Sequence, residues 1–205
     1  MTYAIQDLVI RDVAPVDTGE LTKLLADAMG DGLVAQWLAP EVTVRREYAP
    51  AYFGIFAEHA IRYGEVYTSV DEHTGELSGV ALWFPLTAPL PGPADYDVRI
   101  KNASESAFDR VRILDAALEA HHPLEPHHYL AFIAVQPRLQ NRGIGSALLD
   151  RHHARLDDAG IPAYLEANDP RNRDLYLRHG YVCRPEIRLE DDGPSIWPMW
   201  REPMA

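Results

Sequence analysis

Cysteine is nearly absent from this chain. Its 205 residues hold one, Cys183, so no disulfide can close within it, which fits a reducing compartment. Basic charge is also scarce, with 19 Lys and Arg against 31 Asp and Glu and a net charge of -12. That balance argues against nucleic acid and against an anionic membrane as partners. It suits a cationic amine substrate, although most acidic proteins are acidic only because they are soluble. No long apolar span and no signal-peptide pattern appear, so a cytoplasmic location is expected. Repeats, low-complexity tracts and interdomain linkers are missing too, and one domain over residues 1–205 is expected, long enough to bury a real core. Two familiar phosphate loops are excluded: there is no Gly-Lys-Ser/Thr, and no third glycine placed for a dinucleotide fold.

What the sequence does contain is a strand-turn-helix around Val135-Gln136-Pro137-Arg138-Leu139-Gln140-Asn141-Arg142-Gly143-Ile144-Gly145-Ser146. Tyr129 to Val135 is a short apolar run suited to a buried strand. From Ala147-Leu148-Leu149 onward the apolar face of a helix continues through His152, Leu156 and Ala159. Gly143 and Gly145 remove side chains where an anion would approach the backbone, and the first amides of the helix point toward it. A pyrophosphate is the expected anion, with Arg138 and Arg142 as counter-charges.

The rest of the chain reads as alternating elements. Tyr3 to Arg11 is a first strand, and Asp17 caps a helix carrying Leu21, Leu24, Leu25 and Ala28, ended by Asp31-Gly32. Val34 to Leu38 is a short helix, and Thr43 to Tyr63 a longer one that Pro50 should start or kink. Glu65 to Val70 and Glu76 to Phe84 form a hairpin across Asp71-Glu72-His73-Thr74-Gly75. Residues 85–121 comprise a Pro-rich surface loop, Pro85 to Asp97, and a helix from about Ser104 to Ala120. Ala163 to Ala167 is a strand and Arg171 to His179 a helix closed by Gly180. Tyr181 to Leu189 and Ile196 to Arg201 form a last hairpin across Asp191-Asp192-Gly193-Pro194. These units require a mixed sheet with helices on both faces. The histidines 121, 122, 127 and 128 have no spacing that fixes a tetrahedral metal set, and no metal is expected. His152 falls on an apolar helix face and reads as a hydrogen-bonded core residue.

Gln140-x-x-Gly143-x-Gly145 after a strand ending in Val135 resembles the acetyl-CoA loop of the GNAT acyltransferase superfamily. Leu165-Glu166, Asn168 to Asn172 and Leu175-Tyr176-x-x-x-Gly180-Tyr181 resemble its distal motif, so the likeness spans residues 129–181. His121-x-Pro123-x-Glu125-Pro126, Pro170-Arg171-Asn172 and Ala81-x-Trp83-x-x-Leu86 are similar to the puromycin acetyltransferase-type subgroup. The resemblance implies an α/β (α+β) fold: a mixed, mostly antiparallel, splayed sheet of about six to seven strands. It implies acetyl-CoA as co-substrate, with Ile133, Ala134, Val135, Gln140, Asn141, Arg142, Gly143, Ile144, Gly145, Ser146, Asn168, Asn172 and Tyr176 around it. Acyl transfer requires a neutral amine, a donor to the oxyanion and a proton for the leaving thiolate. By resemblance Tyr176 is the general acid and Asn172 a partner of the pantetheine. The position matching the Glu base of histone acetyltransferase members is Tyr129, so Glu166 is the expected base, with His127, His128 and a water chain as alternatives. Trp83, Tyr129 and Phe132 are the candidates for the acceptor pocket, with core packing the competing role. The implied activity is N-acetylation of a small-molecule amine, such as an antibiotic-like aminonucleoside, by a monomer or homodimer. A non-catalytic acyl-CoA sensor or interaction module is the alternative.

Overall fold

The computed structural model describes residues 8–12, 17–190 and 192–204. Tyr3 to Asp7 of the expected first strand, and Asp191 of the last turn, lie outside the described residues. The strands are β1 (Leu8–Asp12), β2 (Glu65–Asp71), β3 (Leu77–Leu86), β4 (His127–Val135), β5 (Ala163–Ala167), β6 (Val182–Cys183), β7 (Ile187–Arg188) and β8 (Ser195–Arg201). The helices are α1 (Thr18–Met29), α2 (Leu33–Leu38), α3 (Val42–Tyr63), α4 (Tyr96–Ala103), α5 (Glu105–His121), α6 (Ile144–Ala159) and α7 (Pro170–Arg178).

Seven strands follow the order β1-β2-β3-β4-β5-β8-β6, and β7 pairs with β8. Every neighbouring pair is antiparallel except β4 with β5. One core lies between the sheet and α6, built from Leu148, Leu149, Leu156, Ala81, Trp83, Leu130 and Leu165. A second lies on the other face, where Leu21, Leu24 and Leu25 of α1 and Phe53 and Ala57 of α3 cover Val80, Leu82 and Phe84. A third joins α2, α3 and α5 to Ile187 and Ile196. Arg201, fully buried, clamps β8 to α6 through a bidentate pair to Asp157, with both bonds at 2.7 Å.

Local signals fix most boundaries. Asp17 Oδ1 accepts from the Gly19 and Glu20 amides, Ser104 Oγ from Ala107 and Asp169 Oδ1 from Arg171. Three expectations are corrected. α3 does not start at Pro50 but runs from Val42 through it, and the proline gives up the bond to the Arg46 carbonyl. The segment before Ser104 holds a further helix, α4, whose only buried side chain is Ile100, so its sequence carries no apolar stripe. The strand from Tyr181 to Leu189 is cut into β6 and β7 around Pro185, where Arg184 N donates to the Pro198 carbonyl.

Candidate active site

The site starts from a defect in β4. Leu82 pairs with Phe132 but Trp83 pairs with Leu130, so Ala131 is an extra residue in β4. Tyr129 and Leu130 face opposite sides of the sheet. After the bulge, Ala131 and Phe132 both turn to the side of Tyr129, against α3. The pairing of β4 with β5 ends at the same level, at Leu130 and Leu165. Beyond it β4 is paired only with β3, and the edge from Ala131 to Val135 faces a widening gap.

That gap opens into two clefts. The first, about 620 Å³, is lined by Ile133, Ala134, Val135, Gln140, Asn141, Gly143, Ile144, Gly145, Ser146, Asn168, Asn172 and Tyr176 among others. Gly143, at φ +84°, precedes α6 and has no side chain to cap it, and Asn141 is also left-handed at φ +60°. The amides of Ile144, Gly145 and Ser146 precede the first intrahelical bond, Ala147 N to Gly143 O at 2.9 Å. A Cβ on Gly145 would meet only ordinary contacts, 3.9 Å to Leu175 and 4.0 Å to Val135. Packing does not demand glycine there; the missing side chain leaves room in the cleft. Gln140 reaches back, its Nε2 donating to the Val135 carbonyl at 3.2 Å, and so ties the loop to the strand. These features fit acetyl-CoA: an amide cradle for its pyrophosphate and an open strand edge for its arm.

The basic side chains of this cleft are not the expected ones. Arg138 donates to Glu76 at 2.7 Å and to Gln136 at 2.7 Å, on the far side of the loop. Arg142 lines that same small cavity beside Glu76, and its side chain does not line the cleft. Arg171 and Arg178 of α7 line the cleft instead, with Leu175 between them. Their i, i+4, i+7 spacing on one helix face was the available signal. Tyr176 is 6% exposed, packs edge-on to Tyr181 at 5.9 Å, and is held above the ordinary phenol range by burial alone.

The second cleft, about 610 Å³, lies on the α3 side and shares Met29, Gly32 and Asn168 with the first. Its walls include Tyr129, Ala131, Phe132 and Glu166, together with Tyr48, Tyr52, Phe53, Phe56, Tyr96 and Asp115. Phe132 packs edge-on against Phe53 at 5.4 Å and lies 5.1 Å from Phe56. The Glu166 side chain is 6% exposed; its Oε1 is buried without a hydrogen-bond partner, and His122 Nδ1 lies 3.7 Å from it. Burial first, then the charge of Glu166, pushes the phenols of Tyr129 and Tyr164 up, so both stay protonated beside it.

Trp83 is corrected from pocket to core. It is fully buried on the α6 side, stacked on His152 at 4.1 Å, because Ala81 and Trp83 face α6 while Val80, Leu82 and Phe84 face α3. His128 is on that side as well, bonded to His152 at 3.1 Å, and His152 in turn to the Tyr67 hydroxyl at 3.1 Å. His127 points its Nδ1 at the Glu125 carbonyl, 2.6 Å away, and packs on Tyr164 and Trp200. Of the expected bases, only Glu166 lines the second cleft.

Residues 108–183, from α5 to β6, match the family model of the acetyltransferase (GNAT) domain. The fold is similar to that of a histone acetyltransferase HPA2 and related acetyltransferase from Corynebacterium glutamicum, 26% identical, with a TM-score of 0.72 over 97% of this chain and 98% of that one. It is also similar to arylalkylamine N-acetyltransferase 2 of Aedes aegypti, 10% identical, with a TM-score of 0.67 over 97% and 100% of the two chains. A polyamine N-acetyltransferase of Drosophila melanogaster matches at 15% identity and a TM-score of 0.61 over 96% and 100%. An uncharacterized N-acetyltransferase of Schizosaccharomyces pombe is 29% identical over 68 residues, 33% of this chain and 28% of that protein's length. With the bulged central strand, the splay and the glycine loop in place, the chain has the fold of these acetyltransferases, and its residues 108–183 are similar to the GNAT domain.

Proposed function

We propose that the protein transfers the acetyl group of acetyl-CoA to the amine of a small molecule with an apolar or aromatic body. The observation that carries this reading is the junction of the two clefts at the splay, with Tyr176 on one side and Glu166 on the other. Bound in the first cleft, acetyl-CoA supplies an acetyl group activated as a thioester. The loop amides from Ile144 to Ser146 hold its phosphates with Arg171 and Arg178, and Asn168 and Asn172 meet its arm. Glu166 accepts the proton that the incoming ammonium must shed before nitrogen can attack. Tyr176 donates its hydroxyl proton to the departing sulfur, and the second proton that nitrogen sheds as the amide forms passes through solvent to restore the phenol; the proton taken by Glu166 leaves to bulk water. The aromatic wall around Phe132 receives the body of the acceptor. Neighbours of this fold are named for arylalkylamine and polyamine acceptors, and the puromycin-type resemblance adds aminonucleosides.

Glu166→Gln tests the assignment. The amide keeps the size and loses the base, so kcat/KM for amines should fall by about 10²–10⁴-fold while acetyl-CoA affinity stays near wild type. Full amine acetylation by the variant would remove Glu166 from the mechanism. Acetyl-CoA binding without thiol release on any amine would identify a sensor or interaction module.

A further inference from the structure

The second cleft is furnished for more than one amine. Its described lining includes the carboxylates of Asp115, Glu119 and Glu166 and no Lys or Arg. The one histidine, His59, has its pKa lowered by burial and adds no charge at neutral pH. Two buried acceptor atoms lack hydrogen bonds: Glu166 Oε1 and Asp115 Oδ2. Asp115 Oδ1 is held by the Tyr96 hydroxyl at 3.2 Å, which orients the carboxyl. Arg112 does not close off the other oxygen: its Nη1 is 3.9 Å from Asp115 and nearer, 3.3 Å, to Asp97. Tyr48, another residue of the same lining and only 3% exposed, has a buried hydroxyl that is also unpartnered. Tyr52 stands within the field of both carboxylates, and its phenol is pushed up by burial and then by each of them.

A buried carboxylate oxygen without a donor is costly, and a single reacting amine can relieve only the one at Glu166. We infer that Asp115, with the Tyr48 hydroxyl, is a second cation-binding point in the acceptor cleft and that the acceptor is a diamine with an apolar or aromatic spacer. The proposal rests on the acetyl-transfer reading and deepens it. One ammonium sits at Asp115, the ring wall around Tyr52 and Phe132 holds the spacer, and the other nitrogen is presented at Glu166. Aromatic faces along the way favour a cationic guest as well.

The test compares two acceptors that differ only in the second nitrogen, 1,4-bis(aminomethyl)benzene and 4-methylbenzylamine. Wild type should favour the diamine in kcat/KM by about 10- to 100-fold, the range for a charge-assisted hydrogen bond. In Asp115→Asn, which keeps the size and the bond from Tyr96, that ratio should fall to about 2, the statistical factor for two equivalent amines. A wild-type ratio near 2, or a ratio unchanged in the variant, would overturn the inference. If neither compound is acetylated, the pair are not acceptors, and the acetyl-transfer reading stands or falls on the wider amine panel. Calorimetry with the same pair then decides the second site: tighter diamine binding that disappears in Asp115→Asn supports it, and equal binding overturns it.

Discussion

Tyr176→Phe isolates one atom of the proposed chemistry. The ring is 6% exposed and packs against Tyr181, and Phe preserves the ring, the α7 backbone and that contact. Only the hydroxyl is lost. Burial raises the pKa of this phenol above its usual value, with no contribution from a neighbouring charge, so it stays protonated through neutral and mildly alkaline pH. In the proposed chemistry it therefore serves as a donor and not a base, and the wild-type kcat profile should show no alkaline fall from this group below about pH 10. Loss of a positioned general acid costs about 10²–10⁴-fold in kcat, or about 3–5 kcal/mol in the barrier. Stability should change by no more than about 1 kcal/mol, since one hydroxyl is removed and no cavity the size of a methyl group is opened. The assay is thiol release at saturating acetyl-CoA and amine, repeated with added viscogen to establish that chemistry limits turnover. Full kcat under those conditions would make Tyr176 a packing residue. A large fall in melting temperature with a matching fall in activity would contradict the donor role in a different way.

Two further outcomes follow from the buried face of the sheet. Trp83→Ala should lower stability by about 3–5 kcal/mol, the cost of truncating a core aromatic, and leave the acceptor KM near wild type; a raised KM with unchanged melting would return Trp83 to the pocket. His152 and His153 are buried, and desolvation lowers their pKa values to about 2 and about 3, so both are neutral in the fold and bind protons only on unfolding as pH drops below about 6.5. Stability should therefore be highest above that pH and fall by roughly 2–3 kcal/mol between pH 6 and pH 5 from this pair; urea unfolding that is flat from pH 7 to pH 5 would refute it.

How legible all this was depends on which property each feature uses. Helices with a cap and an apolar stripe, such as α1 behind Asp17, are plain in the sequence, and so are the turn at Asp71 and the glycine loop. The bulge at Ala131 is not. Every residue from Tyr129 to Val135 is compatible with burial, so no break in alternation marks the extra one. Trp83 failed for a related reason: Val80 to Phe84 is apolar on both faces of the sheet, and alternation alone does not say which parity meets which helix. Arg138 and Arg142 stand near the loop in sequence, but Arg138 is drawn to Glu76 and Gln136, and both line the small cavity beyond the loop. Arg171 and Arg178 reach the cleft from a helix that sequence distance separates from the loop. Asp115 and Tyr48 lie in the parts of the chain with the weakest motif, and only the packing of α5 against α3 brings them to one cavity.

Acetyl transfer at the junction of the two clefts is put to the test by wild-type turnover. Protein, acetyl-CoA and a panel of primary amines with apolar, aromatic or aminonucleoside bodies are incubated, with thiol release followed continuously and products identified by mass spectrometry. The account predicts amine-dependent thiol release, matched one to one by N-acetylated amine, fastest for acceptors that fill the aromatic cleft and carry a second cation. Acetyl-CoA that binds by calorimetry but releases no thiol with any amine would contradict it.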